Sequence, residues 1–141
     1  MQREAVVARL LRGLVGGDDL TLAGVLHPSA RMLLDTGDGV GGDIHGRADV
    51  IRGLRSLLSR HADAAPQTAH VNGSTGLVLR RHDGAVVVVV CLDLDAAGAI
   101  RTVWVTADAS RLRHWNRRQD DGPDRRGSPM PSQNGPPPGR S

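Results

Sequence analysis

The chain has 141 residues and a net charge of +3, carried by 18 Arg and no Lys; Phe and Tyr are absent and Trp occurs twice. That length gives one domain with one core, and a single cysteine excludes an internal disulfide or a thiolate-built metal site. No stretch reaches the roughly 20 apolar residues of a membrane span, and the lack of stacking aromatics, zinc-finger spacing or a concentrated basic run argues against direct nucleic-acid binding.

In chain order, Glu4 to Val15 carries Val6, Val7, Leu10, Leu11 and Leu14, the spacing of an amphipathic helix that Gly16-Gly17 ends. Asp18 is placed to cap a second short helix, Asp19 to Leu26, which stops at His27-Pro28. Ala30 to Asp35 reads as a strand, and the run from Thr36 to Gly42 is too rich in glycine for regular structure. A third helix is predicted from Arg47 to Arg60, burying Val50, Ile51, Leu54, Leu57 and Leu58.

After Pro66 the pattern becomes one of strands: Thr68 to Asn72, Gly76 to Arg81, Ala85 to Leu94 and Ala99 to Thr106. Asp83-Gly84 and Ala97-Gly98 read as tight turns, and Asp108 is placed to cap a last helical turn through Leu112 and Trp115. Residues 1–116 therefore form the folded domain. Residues 117–141, rich in Pro, Gly and Arg, lack the apolar surface to offset the entropy of ordering and are expected to be a disordered tail.

Helices followed by a strand meander make an α+β layout, with helices on one face of an antiparallel sheet. The run VVVVVCLDLD, Val86 to Asp95, is apolar on both of its alternating sides, so the face away from the helices also needs cover. A second copy of the chain, packed sheet to sheet, is the expected cover; a deep pocket is the alternative.

This element order resembles the cone-shaped fold of the nuclear-transport-factor-2-like (NTF2-like) superfamily, with three N-terminal helices on a curved antiparallel sheet. Within it the chain is most similar to the SnoaL-like domain at the C-terminus of extracytoplasmic-function sigma factors. Val71-Asn72-Gly73-Ser74-Thr75-Gly76-Leu77-Val78-Leu79 fits the family's V-N-G-x-P-G/A-L-V-L run, with Thr75 in place of Pro. Asp35 to Val40 falls on D-G-G-G-K-V and keeps Asp35, Gly37 and Val40, with Gly39 where Lys is usual. Asp108 to His114 falls on N-P-D-K-L-R-H, keeping Leu112-Arg113-His114 and a basic Arg111, and Gly98-Ala99-Ile100 falls on the G-R-I that opens the last strand. The family's two sigma domains are absent from this chain. The resemblance implies a regulatory or interaction role whose motif residues are Gly37, Val40, Asn72, Gly73, Asp108, Arg111 and Leu112.

The residues available to line a pocket are Asp35, Asp38, His45, His70, Asn72, Asp93 and Trp104. Asp93 follows Val87, Val89 and Cys91 on one side of its strand, where apolar neighbours would raise its pKa and suit it to general acid–base work. Asp35 is the second candidate. The missing Tyr removes the usual oxyanion donor of isomerase chemistry in this fold and weakens a hydrolase reading that needs Tyr beside an Asp-Arg-Asp set. His61, His70 and His82 lack metal-ligand spacing, so neither a metal nor a cofactor is expected. His45 is placed to cap or orient the glycine-rich loop.

The sequence thus predicts a cytoplasmic, non-enzymatic SnoaL-like domain. It would bind a small apolar ligand or a protein of the transcription machinery and pair with itself through its sheet. The alternative is a small cyclase, isomerase or hydrolase using a pocket Asp as general base.

Overall fold

The structure is a computed structural model that describes residues 3–37, 41–71, 73–108 and 112–113. Helix α1 (Arg3–Gly16) buries Val6, Val7, Leu10 and Leu14, the stripe its spacing predicts. Gly17 ends it at φ 65°, and the Asp18 N–H closes onto the Gly13 carbonyl at 2.9 Å. Asp18 then caps α2 (Asp19–Val25), its carboxylate accepting from the N–H groups of Leu20 and Thr21 at 3.1 and 3.3 Å. Helix α3 (Arg47–Arg60) buries Val50, Ile51, Leu54 and Leu57 and is tied to α2 by the Arg55 guanidinium on the Asp19 carboxylate.

The strands are β1 (Leu26–Asp35), β2 (Gly42–His45), β3 (Ala64–Val71), β4 (Ser74–Arg81), β5 (Val86–Leu94) and β6 (Ile100–Thr106), in the order β2-β1-β6-β5-β4-β3. The α+β class holds, but the sheet is mixed rather than wholly antiparallel: β1 lies parallel to β6, with Leu33 opposite Trp104 and Asp35 opposite Thr106. That pairing joins the helical and meander halves of the chain, a long-range event that local periodicity cannot register.

Three boundaries move. β1 begins at Leu26 rather than Ala30 and runs through His27-Pro28, with a register shift between Leu26 and Arg31. β2 takes Gly42 from the stretch read as irregular and adds Asp43, Ile44 and His45 as an edge strand on β1. β3 starts at Ala64 and contains Pro66, which an edge strand tolerates because one side of its backbone donates to no neighbour. The turns at Gly84 and Gly98 lie where expected, at φ 90° and 89°.

The core lies between the helices and the sheet. Leu10, Leu22, Met32, Val50, Ile100 and Val103 are each fully buried there. Packing is tight enough that a methyl group on Gly13 would sit 2.8 Å from Leu22 Cδ2, and one on Gly53 would sit 2.9 Å from Met32 Sδ. Among the described residues no helix is long and apolar enough to cross a membrane. The terminal segment 117–141 lies outside the described residues, as do Asp38, Val40, Asn72, Arg111 and Trp115.

Candidate functional site

Two faces of the sheet differ sharply. Toward the helices β5 presents Val88, Val90 and Leu92, all buried in the main core. On the outer side a second, smaller cluster joins Val71, Val78, Val86, Val89 and Leu112. Val86 and Val89 share that side despite their odd spacing, because a bulge sets Arg80 opposite Val86 while Leu79 stays opposite Val88. The simple two-set alternation of the sequence reading is corrected here: Val87 is the extra residue, and it packs toward the helix-side core.

Part of the outer cover comes from the chain itself. The Leu112 N–H donates to the Asp108 carbonyl at 3.0 Å, and Leu112, 5% exposed, lies in the outer cluster. Beyond its reach, register places Leu33, Trp104 and Cys91 in one row across β1, β6 and β5, and Arg31, Thr102 and Asp93 in the next. Trp104, in the middle of that surface, is 50% exposed. Cys91 is half-buried beside it, and burial pushes its thiol pKa up, against a smaller opposing pull from Arg3.

The described residues among those singled out as pocket-lining, Asp35, His45, His70, Asp93 and Trp104, do not converge on an enclosed space. Asp93 is exposed on the outer face opposite Thr102, past the apolar part of β5; the expected apolar surroundings are not there. The reason is that the outer apolar cluster reaches along β5 from Val86 to Cys91 and stops short of residue 93. Asp35 ends β1, its carboxylate accepting the Gly37 N–H at 3.1 Å. His45 is exposed at the end of β2 and faces Asp43 at 3.1 Å, and α3 starts from Gly46 without a side-chain cap; residues 38–40 of the loop it was expected to cap or orient lie outside the described residues. Asp43 is held below the ordinary carboxylate value chiefly by its hydrogen bond from Arg31, at 3.0 Å. His70 stands exposed on the edge strand β3, opposite Thr75.

Among the motif residues, Gly37 and Gly73 both have φ of 81°, a backbone that favours glycine. At Gly37 a side chain would also collide with the Asp108 carboxylate, 2.6 Å away, so the first and last motifs touch. Gly76 passes so close to β5 that an added methyl would lie 2.5 Å from the Val90 carbonyl oxygen.

Open hollows lie among the described residues. One of about 400 Å³ runs along Val86, Val87, Ala107 and Leu112 with His61 and Arg113 at its rim. Another, of about 140 Å³, lies at Arg3, Thr75, Gly76 and Cys91, where Arg3 donates to the Leu92 carbonyl at 2.9 Å. Among the described residues no three His, Cys, Asp or Glu side chains come together as metal ligands. The sequence reading found the outer face through the two-sided apolar run of β5 but missed the row that β1 adds to it, Arg31 and Leu33, because the β1–β6 pairing is long-range.

No protein-family model matches the chain, and no curated protein matches it in sequence. Solved structures do. The extracytoplasmic-function sigma factor SigJ of Mycobacterium tuberculosis aligns over 78% of this chain at 22% identity with a TM-score of 0.61. An NTF2-like protein of unknown function from Burkholderia pseudomallei aligns over 81% of the chain and 97% of its own length, at 17% identity and a TM-score of 0.55. The fold is NTF2-like. A SnoaL-like family protein of Agrobacterium tumefaciens shares that NTF2-like architecture over 75% of this chain and 97% of its own, at 12% identity and a TM-score of 0.56. The chain spans 43% of the length of SigJ.

Proposed function

We propose that this NTF2-like domain is a non-enzymatic interaction module, related to the SnoaL-like regulatory domain of sigma factors, that works through its outer sheet face. The observation that carries this reading is the filled interior. A binding or catalytic site in such a fold needs a concave, mostly apolar space with a few convergent polar groups. Here Leu10, Leu22, Met32, Val50, Ile100 and Val103 occupy the space between helices and sheet, and buried polar side chains are absent from the core among the described residues.

The exposure of Asp93 weighs the same way. A carboxylate held in open water keeps neither the desolvation nor the fixed geometry that general-base catalysis draws on. The outer face, by contrast, offers a large exposed aromatic inside a sheet, flanked by apolar and charged neighbours, the composition that protein interfaces favour.

Native mass spectrometry of the protein purified from its own host tests the first part. The expected spectrum shows polypeptide alone; a small molecule carried at one per chain overturns the reading. The transcriptional part draws its support from the likeness to SigJ, and is tested by adding the protein to run-off transcription with host polymerase holoenzyme. Transcript yield should change with dose; an unchanged yield removes that part.

A further inference from the structure

We infer that the free edge of the sheet, along β3 from Pro66 to His70, accepts an extended segment of another protein as an added strand. This edge is separate from the outer face around Trp104 and is a second place of contact.

Register decides which backbone groups of β3 are open. Val71 lies opposite Ser74 with only two residues between them, so the two exchange both of their hydrogen bonds, and every second pair beyond them does the same. Ala69, Gln67 and Ala65 therefore bond to β4 as Val71 does. His70, Thr68, Pro66 and Ala64 turn their backbone groups away from it. Pro66, with no N–H to give, falls in the outward set, as it must. The Ala64 N–H is taken by the His61 carbonyl at 2.9 Å. That leaves the N–H groups of Thr68 and His70 and the carbonyls of Pro66, Thr68 and His70 facing outward, and no group among the described residues bonds to them.

Sheet edges are ordinarily closed by charge, proline, a bulge or shortness. The opposite edge, β2, is four residues long and carries Asp43 in its ion pair with Arg31. β3 has eight residues, AAPQTAHV, with no Asp, Glu, Lys or Arg among them. Pro66 and the bond from Ala64 to His61 close its first half. The half from Gln67 to Val71 carries no such guard. Its outward N–H and C=O groups repeat at roughly 7 Å, the two-residue spacing of extended chain, which a second extended backbone matches group for group.

Side chains set the chemistry of the newcomer. A residue laid opposite Ala69 or Val71 places its side chain on the outer side of the sheet, where both belong to or pack on the smaller apolar cluster. Ala69 is paired with Gly76, and Gly76 passes too close to the Val90 carbonyl to admit a side chain. The sheet is therefore shallow along that row, and a large apolar side chain opposite Ala69 can lean over it against Val71. On the other side Thr68 and His70 are exposed, so no described group crowds a strand beside them. The segment that fits is extended, uncharged and apolar at every second position.

Hydrogen exchange and peptide selection test this on the full chain. In the free protein the Thr68 and His70 amides should exchange about a hundredfold faster than those of Ala69 and Val71. A library of random dodecapeptides displayed on phage should yield, after selection on the protein, uncharged sequences with apolar residues at alternate positions. A selected peptide, synthesised and added in excess, should slow exchange at Thr68 and His70. Thr68→Pro removes one outward N–H and should weaken that peptide about tenfold. Should the variant unfold, N-methylation of the peptide reads the same bonds: methyl groups on one alternate set of its amides should abolish binding, and on the other set should leave it. Edge amides that are already slow in the free protein, a library without such peptides, or binding indifferent to both methylated sets overturns the added strand. Protection that rises with protein concentration in the absence of peptide assigns the edge to a second copy and overturns it too.

Discussion

Strand β5 shows the helices Val88, Val90 and Leu92, and shows the other side of the sheet Val89, Cys91 and Asp93. On the first side these residues are buried in the core cluster that also holds Leu10, Leu22 and Val50 of the helices. On the second, cover is supplied at one end by Leu112 and thins out toward Trp104. The same sequence run therefore serves two purposes. One face holds the domain together, and the other leaves Trp104 half open to water. Apolar residues on both sides of a strand in a small domain do not by themselves mean that both sides are core.

This contrast can be broken by substitution, beginning with the helix side. Leu10→Ala removes a fully buried side chain from a core without slack and should cost about 3 kcal/mol, read from urea unfolding midpoints. Leu112→Ala, on the outer side, should cost less, about 2 kcal/mol, because it opens a shallow cluster that water can enter. A Leu112 loss equal to that at Leu10 would mean that the outer cluster is a second full core.

Trp104→Ala sharpens the comparison most. Its unfolding free energy should fall by about 1 kcal/mol, less than at either leucine, since half of the residue's surface is already in water. A large loss of stability would place Trp104 with the core instead.

The smallest effect lies away from both faces. Asp18 is held below its ordinary pKa of 3.8, first by the Thr21 hydroxyl, at 2.7 Å, and then by backbone N–H groups. A depressed native pKa gives stability that is fully present above 3.8 and lost as pH falls through the lower native value. Asp18→Ala should therefore lower the unfolding midpoint at pH 7 and make the decline between pH 5 and pH 2, roughly, shallower than in wild type. An identical acid profile in the two proteins would show that the cap contributes nothing.

Much of the fold was legible because its signals are local. Leu10, Leu14, Val50 and Leu54 announce their helices by spacing, Asp18 announces a cap, and Gly84 and Gly98 announce turns. What stayed hidden depends on pairing. The short β2 carries no apolar run of its own and becomes a strand only because β1 is beside it. Bulges opposite Arg80 and near Asp93 set which side chains share a face, and periodicity counted along one strand cannot see them. The candidate residues fared accordingly: Asp35, His45, Asp93 and Trp104 are near or on one face, as exposed or partly exposed groups, and His70 stands apart on an edge.

The parallel pairing of β1 with β6 also governs how the chain reaches its shape. The β3–β6 meander is built from neighbours and can assemble through short turns, but β1 waits for residues about 70 positions later before it finds its place. During synthesis the three helices emerge with their apolar stripes before the surface they rest on exists. Closure by β6, nearly the last described strand residues to be made, is the step at which the two halves become one cooperative unit.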